Sequence, residues 1–167
     1  AFAYDPELGC VLRPGELADY ERLLVKLKET EQFPDHIIYL WSLNLLTNHS
    51  SAISPQVQHI EDEFYSLLNL VKAIGEADSQ AAVQLGIVTP STQAVTSEEN
   101  LSPSFIPGFC KVIPQEYRNI VCSAIDIQVP ATGEADQALK IEQLVAEFLN
   151  KLPDSVVAYR GHRRWVP

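Results

Sequence analysis

The chain has 167 residues, 46% of them hydrophobic and 20% charged, with a net charge of −10. That length suits one compact domain with a real core, and the composition is that of a soluble globular α/β protein rather than a disordered one. The acidity argues against nucleic-acid binding, since such a surface repels phosphate backbones, and no apolar run approaches the roughly 18 residues that span a bilayer.

Three widely spaced cysteines, Cys10, Cys110 and Cys122, do not make a disulfide framework. They point to a reducing, cytoplasmic setting, and without a C-x-x-C they offer no cysteine zinc site. The start, Ala1-Phe2-Ala3-Tyr4-Asp5-Pro6, lacks the charged region and apolar centre of a secretory signal. No methionine occurs, so the expectation is a portion of something longer.

In chain order, the opening to about Pro14 reads as irregular or as a short strand at Cys10–Arg13. Pro14-Gly15 signals a turn. A helix follows, with Leu17, Tyr20, Leu23, Leu24 and Leu27 at helical spacing, Glu16 and Asp19 near its start and Lys26 and Lys28 near its end. His36–Trp41 is a continuous apolar run, as in a strand buried on both faces. Asn48 to Pro55 reads as loop. A second helix from about Gln56 to Ile74 carries Val57, Ile60, Phe64, Leu67, Leu68, Val71 and Ile74 as one stripe.

Ala81 to Thr89 reads as a buried strand ending at Pro90. The polar stretch Ser91 to Ser104 is a loop with a short strand around Ala94-Val95. Phe105 to Glu116 contains a helical stretch broken or kinked by Pro107 and Pro114. Asn119–Ile127 is a third buried strand. Gly133 precedes a last helix, about Asp136 to Leu149, with Ile141, Leu144, Val145, Phe148 and Leu149 inward. Val156–Tyr159 is a final strand. Strands alternating with helices imply a parallel sheet with helices on both faces, the Rossmann-like architecture.

Such a fold invites a nucleotide hypothesis, and the glycines speak against it. There are seven, the closest pair six residues apart, and neither G-x-G-x-x-G nor G-x-x-x-x-G-K-[ST] occurs. A pyrophosphate needs bare backbone at a helix N-terminus, and nothing here supplies it. No G-x-S-x-G elbow is present, and His36, His49, His59 and His162 lack metal-ligand spacing. Lys111 and Tyr117 stand six apart with Pro114 between them, the wrong spacing for one helical face. Asp126, near the end of a buried strand, sits where α/β proteins collect ligands. The plainer reading, a strand-end carboxylate bonded to backbone amides, is preferred. The end of the chain turns basic: Arg160, Arg163 and Arg164 with Trp165 read as an interdomain contact, since arginine and tryptophan are common interface anchors.

Three segments in order carry a family resemblance. Asp35-His36-Ile37-Ile38-Tyr39-Leu40-Trp41-Ser42-Leu43 resembles a buried strand ending in Leu-Trp in modular polyketide synthases, with Tyr39 where histidine is usual. Gly108–Tyr117 followed by Ser123-Ala124-Ile125-Asp126-Ile127 resembles a helix and an Ile-Asp strand there, with Arg118 where proline is usual. Val157–Pro167 resembles the closing strand before a linker. Together they resemble the structural, non-catalytic subdomain of the ketoreductase region of a modular type I polyketide synthase, similar to cyanobacterial or mixed polyketide/peptide assembly lines. The resemblance implies a truncated Rossmann-like subdomain over residues 1–167, with residues 160–167 joining a following domain and an additional strand and helix upstream. It implies no catalytic, cofactor or metal residue in this chain, with NADPH and the catalytic residues in a partner subdomain of the same polypeptide. The expected function is to scaffold β-ketoreduction. Two readings compete: a stand-alone α/β enzyme with a site near Thr89 and Asp126, and a spacer or interaction module of a megasynthase whose reductase has decayed.

Overall fold

Local sequence sets most of the elements. A computed structural model describes residues 2–5, 9–46, 53–77, 82–95, 101, 104–128, 134–149 and 154–167. The chain opens with a hairpin in which β1 (Ala3–Asp5) pairs antiparallel with β2 (Gly9–Val11). After Pro14-Gly15 comes α1 (Leu17–Glu29), as its periodicity predicts. Its first turn is tied by Asp19 rather than by a cap at Glu16. The Arg13 backbone N–H (3.2 Å) and its Nε and Nη2 (each 2.8 Å) all donate to the buried Asp19 carboxylate.

The long helix α2 (Ile53–Ala77) packs along α1. The Tyr20 hydroxyl bonds Ser66 Oγ at 2.9 Å, and Asn69 Nδ2 donates to the Pro14 carbonyl at 3.0 Å. Of the expected stripe, Leu67, Val71 and Ile74 are buried, but Val57, Ile60 and Phe64 are exposed. α1 has 13 residues and α2 has 25, so at about 1.5 Å per residue α1 covers only half of its neighbour. These elements belong to one compact unit, Ala1–Asp35 with Asn48–Val83; His36–Thr47 with Gln84–Pro167 form a second.

The second unit is built on a five-stranded sheet in the order β3-β4-β5-β6-β7. The strands are β3 (His36–Tyr39), β4 (Val83–Pro90), β5 (Ile120–Ile127), β6 (Val156–Arg160) and β7 (Arg163–Trp165). β3 runs parallel to β4 and β5 parallel to β6, whereas β7 returns antiparallel along β6. Helix α3 (Ile106–Glu116) reaches β5 through Cys110, which faces Cys122. Helix α4 (Glu134–Leu149) reaches the sheet through Phe148, in a cluster with Val88, Ile125, Ile127, Val157 and Tyr159. Cys122 and Ile125 are an odd number apart on one strand, so α3 and α4 cover opposite faces of β5. The expected mostly parallel Rossmann-like sheet with helices on both faces is therefore present in this unit.

Several expectations need correction. Among the described residues β3 is the edge strand of this sheet, next to β4, and its Ile38 is exposed, so the apolar run His36–Trp41 is not buried on both faces. At Trp41 the chain turns into a 3-10 helix, Trp41–Leu46. Ala94-Val95 forms no strand. The two prolines do not break α3: Pro107 sits in its first turn, where its missing N–H has no partner to lose, and Pro114 lies in the last turn. The face of α4 is rotated from the expected one. Leu144 and Phe148 turn inward with Gln143 and Glu147, while Ile141 and Leu149 are 62% and 78% exposed and Val145 is exposed too. Asn48 and Gly133 lie outside the described residues.

Candidate functional site

In sheets of this kind ligands gather where strands end, so the ends of β4, β5 and β6 are the place to examine. They carry Thr89, Asp126 and Arg160. The Thr89–Asp126 contact shows that the ends of β4 and β5 lie side by side, and the register of β5 on β6 brings Asp126 opposite Ala158. Immediately after β4 the chain reverses at Ser91, whose φ of +47 is left-handed. That reversal turns two successive amides back toward β5, a backbone nest suited to an anion.

Asp126 fills the nest. It is fully buried, and both oxygens are occupied. Oδ1 accepts from the Thr92 amide (2.6 Å), the Thr92 hydroxyl (2.9 Å) and the Thr89 hydroxyl (3.1 Å). Oδ2 accepts from the Gln93 amide (3.4 Å) and from Arg160 Nη2 (2.8 Å). The same Nη2 donates to the Gln93 carbonyl at 2.7 Å, and Nη1 donates to the Tyr159 carbonyl at 3.0 Å. The Arg160 side chain is 9% exposed. A charge this deep must be paired and hydrogen-bonded, and this one is both. The preferred expectation for Asp126 matches this geometry, with a cation added that sequence reasoning did not assign to it.

A second network clamps the returning hairpin to α4. Arg164 grips Glu147 with two bonds, Nε to Oε2 at 3.0 Å and Nη2 to Oε1 at 2.7 Å, and Nη2 also reaches Asp154 at 2.9 Å. The Tyr159 hydroxyl donates to Glu147 Oε2 at 2.7 Å, and Gln143 Nε2 donates to the Gly161 carbonyl at 2.7 Å. Burial disfavours a charged Glu147, but the bonds from Arg164 and Tyr159 outweigh it and hold the carboxyl below its ordinary range. Burial, then the bond to Glu147, pushes Tyr159 up to about 12. The Arg164 guanidinium is raised further by its bond to Glu147.

The four residues expected at an interdomain contact thus have different surroundings. Arg160 is enclosed at the strand ends, and Arg164 is largely engaged with α4. Arg163 and Trp165 project from β7 into solvent. Trp165 pairs with Ala158 and walls a hollow of about 200 Å³, lined also by Gln93, Val95, Val156 and Pro167. Sequence reasoning missed the hairpin that creates this arrangement. Its signal was present: Gly161-His162 separates two strand-like runs by two residues, with glycine first and φ at +55, as a type II′ hairpin turn requires. It also missed Glu147, which the apolar pattern of α4 did not mark.

Among the described residues no group of three or more His, Cys, Asp or Glu is placed to hold a metal ion, and no helix is long and apolar enough to cross a membrane.

Against known families, residues 2–147 match the family described as beta-ketoacyl synthase-like, N-terminal. The chain belongs to that family. No curated protein matches it. Among solved structures, the multidomain structure of adenylation, ketoreductase and pseudo-Asub parts of a keto acid-selecting NRPS module is similar to it. That match has a TM-score of 0.83 and 23% identity, covering 100% of this chain and 14% of that one. An N-terminal ketoreductase from a macrolactin assembly line matches with a TM-score of 0.70 and 16% identity, covering 95% of this chain and 31% of that one. At these identities the likeness is one of fold, and the chain spans a minor part of both. The resemblance to a ketoreductase structural subdomain holds at the level of fold, beside a family match to beta-ketoacyl synthase-like proteins.

Proposed function

We propose that the chain is a non-catalytic scaffold subdomain of an assembly-line ketoreductase region, which supports an NADPH-dependent β-ketoreduction carried out by a partner subdomain of the same polypeptide. The observation that carries this is the filled nest. The backbone donors that could cradle a phosphate at the strand ends are taken by Asp126, whose charge repels a second anion. The donor set there does not fit a dinucleotide, and the neighbouring hollow of about 200 Å³ lies below the roughly 300–1,000 Å³ of ordinary small-molecule sites. The two similar structures, each named for a ketoreductase within a larger assembly, favour a partner in the same chain. The uncovered apolar residues of α4 and Trp165 on β7 suit docking to such a neighbour.

A role in acyl condensation, the second reading that a beta-ketoacyl synthase-like family raises, would need an activated cysteine. Two of the three thiols are tuned the other way. Burial raises Cys10, while the bond to Cys110 and burial raise Cys122. A stand-alone site near Thr89 and Asp126 would need a free acceptor at Asp126, and both its oxygens are occupied.

The test is a calorimetric titration of NADPH into the chain alone and into the chain joined to its downstream subdomain. The expectation is no saturable binding to the first, and binding with keto-thioester reduction by the second. Saturable binding to the chain alone that Asp126→Ala abolishes with the fold intact would favour the enzyme reading instead.

A further inference from the structure

Cys110 on α3 and Cys122 on β5 are the two fully enclosed cysteines, and neither belongs to the strand-end network. Their sulfurs stand 3.0 Å apart, with the Cys122 S–H directed at Cys110 Sγ. A disulfide bond is about 2.05 Å long, so closure needs a sulfur shift of about 1 Å. A rotation of either side chain can supply much of that. The remaining cysteine, Cys10, lies in the other compact unit and is partly exposed.

We propose that Cys110 and Cys122 are a reversible modification site, closing to an intrachain disulfide that staples α3 to β5 when a small peroxide reaches them. The chemistry balances as two thiols plus one hydrogen peroxide giving one disulfide and two waters. The Cys110 sulfur, which accepts the hydrogen bond, loses its proton and attacks a peroxide oxygen. The O–O bond breaks, one water leaves, and Cys110 becomes a sulfenic acid. The Cys122 sulfur then attacks the Cys110 sulfur, the S–O bond breaks, and the departing hydroxide takes the Cys122 proton as the second water. An external dithiol reverses the reaction by exchange. Burial selects the oxidant: hydrogen peroxide is small enough to enter during local opening, whereas a bulky disulfide is not. Burial also makes the reaction slower than at an exposed thiol, and it favours the nearby second sulfur over further oxidation. In a reducing setting the pair rests as thiols.

The experiment treats the chain with hydrogen peroxide, quenches it, alkylates it in denaturant and maps the products by non-reducing proteolysis and mass spectrometry. The expected result is a fall from three alkylatable thiols to one. The Cys110 and Cys122 peptides should be joined and lighter by two hydrogens, with Cys10 still alkylated. The melting temperature should rise and return on adding dithiothreitol, and Cys122→Ser should abolish both responses. The proposal is overturned if Cys110 accumulates as sulfinic acid without a crosslink, or if both buried thiols stay alkylatable while Cys10 oxidises. The wild-type peptide map decides the matter even if the variant folds poorly.

Discussion

Replacing Arg160 with alanine tests the strand-end network most directly. Asp126 is fully buried, and Arg160 supplies the guanidinium on its Oδ2 at 2.8 Å while also bonding the Gln93 and Tyr159 carbonyls. In Arg160→Ala the carboxylate keeps its amide and hydroxyl donors but loses that counter-charge, and two carbonyls lose a partner. Breaking a buried pair from one side costs about 3–5 kcal/mol, against about 0–1 kcal/mol for an exposed pair. The hollow beside β6 lets water approach, which puts the expectation near the lower end, at about 3 kcal/mol. A domain of this size is stable by about 5–15 kcal/mol, so that loss is large. The assay is urea unfolding of the purified chain followed by circular dichroism and by the fluorescence of Trp41 and Trp165. Arg163→Ala, on the same hairpin and solvent-exposed, is the control and should change stability by no more than about 0.5 kcal/mol. If the two variants cost the same, the ion pair does not hold the strand ends together and the structural account of Asp126 is wrong.

Other outcomes follow from the same geometry. A Cβ at Gly86 would overlap the Phe148 ring at Cζ and Cε1, and that ring is wedged among Val88, Ile125 and Val157; Gly86→Ala should therefore cost about 1–3 kcal/mol by thermal unfolding, with part recovered in Gly86→Ala/Phe148→Leu. Hydrogen bonds from Arg13 hold the Asp19 carboxyl at about 2, below its ordinary range and against the opposing effect of burial. Its folded-state value is depressed, so its stabilisation is full above the usual carboxylate range and is lost as pH falls towards about 2. Asp19→Asn should lower the melting temperature at neutral pH and flatten its decline over that acid window. Ile141→Ser and Val145→Ser should each leave stability within about 0.5 kcal/mol, because both side chains face solvent; a loss of about 2 kcal/mol or more, as for a core residue, would show that the face of α4 is misplaced.

The sequence by itself determined the four α-helices and the three central strands, because that information is local. The spacing of Leu17, Tyr20, Leu24 and Leu27 set α1, and the apolar runs ending at Thr89, Ile127 and Tyr159 set the three central strands. The lack of glycine-rich loops likewise spoke against a dinucleotide site, since the spacing of glycines is itself a local property. What the sequence left open were choices between neighbours. His36–Trp41 is apolar enough for a central strand, and only sheet order makes it an edge. In α4 two apolar rows were available, and the row turned inward is the one holding Glu147, because Arg164 and Tyr159 reach it from the hairpin and Gly86 leaves room for Phe148. Asp126 could be read as a ligand or as a structural carboxylate until the turn at Ser91 and the cation at Arg160 closed around it. Periodicity records which residues can be buried; tertiary structure decides which are, since a buried charge is tolerated only where a partner from a distant part of the chain arrives beside it.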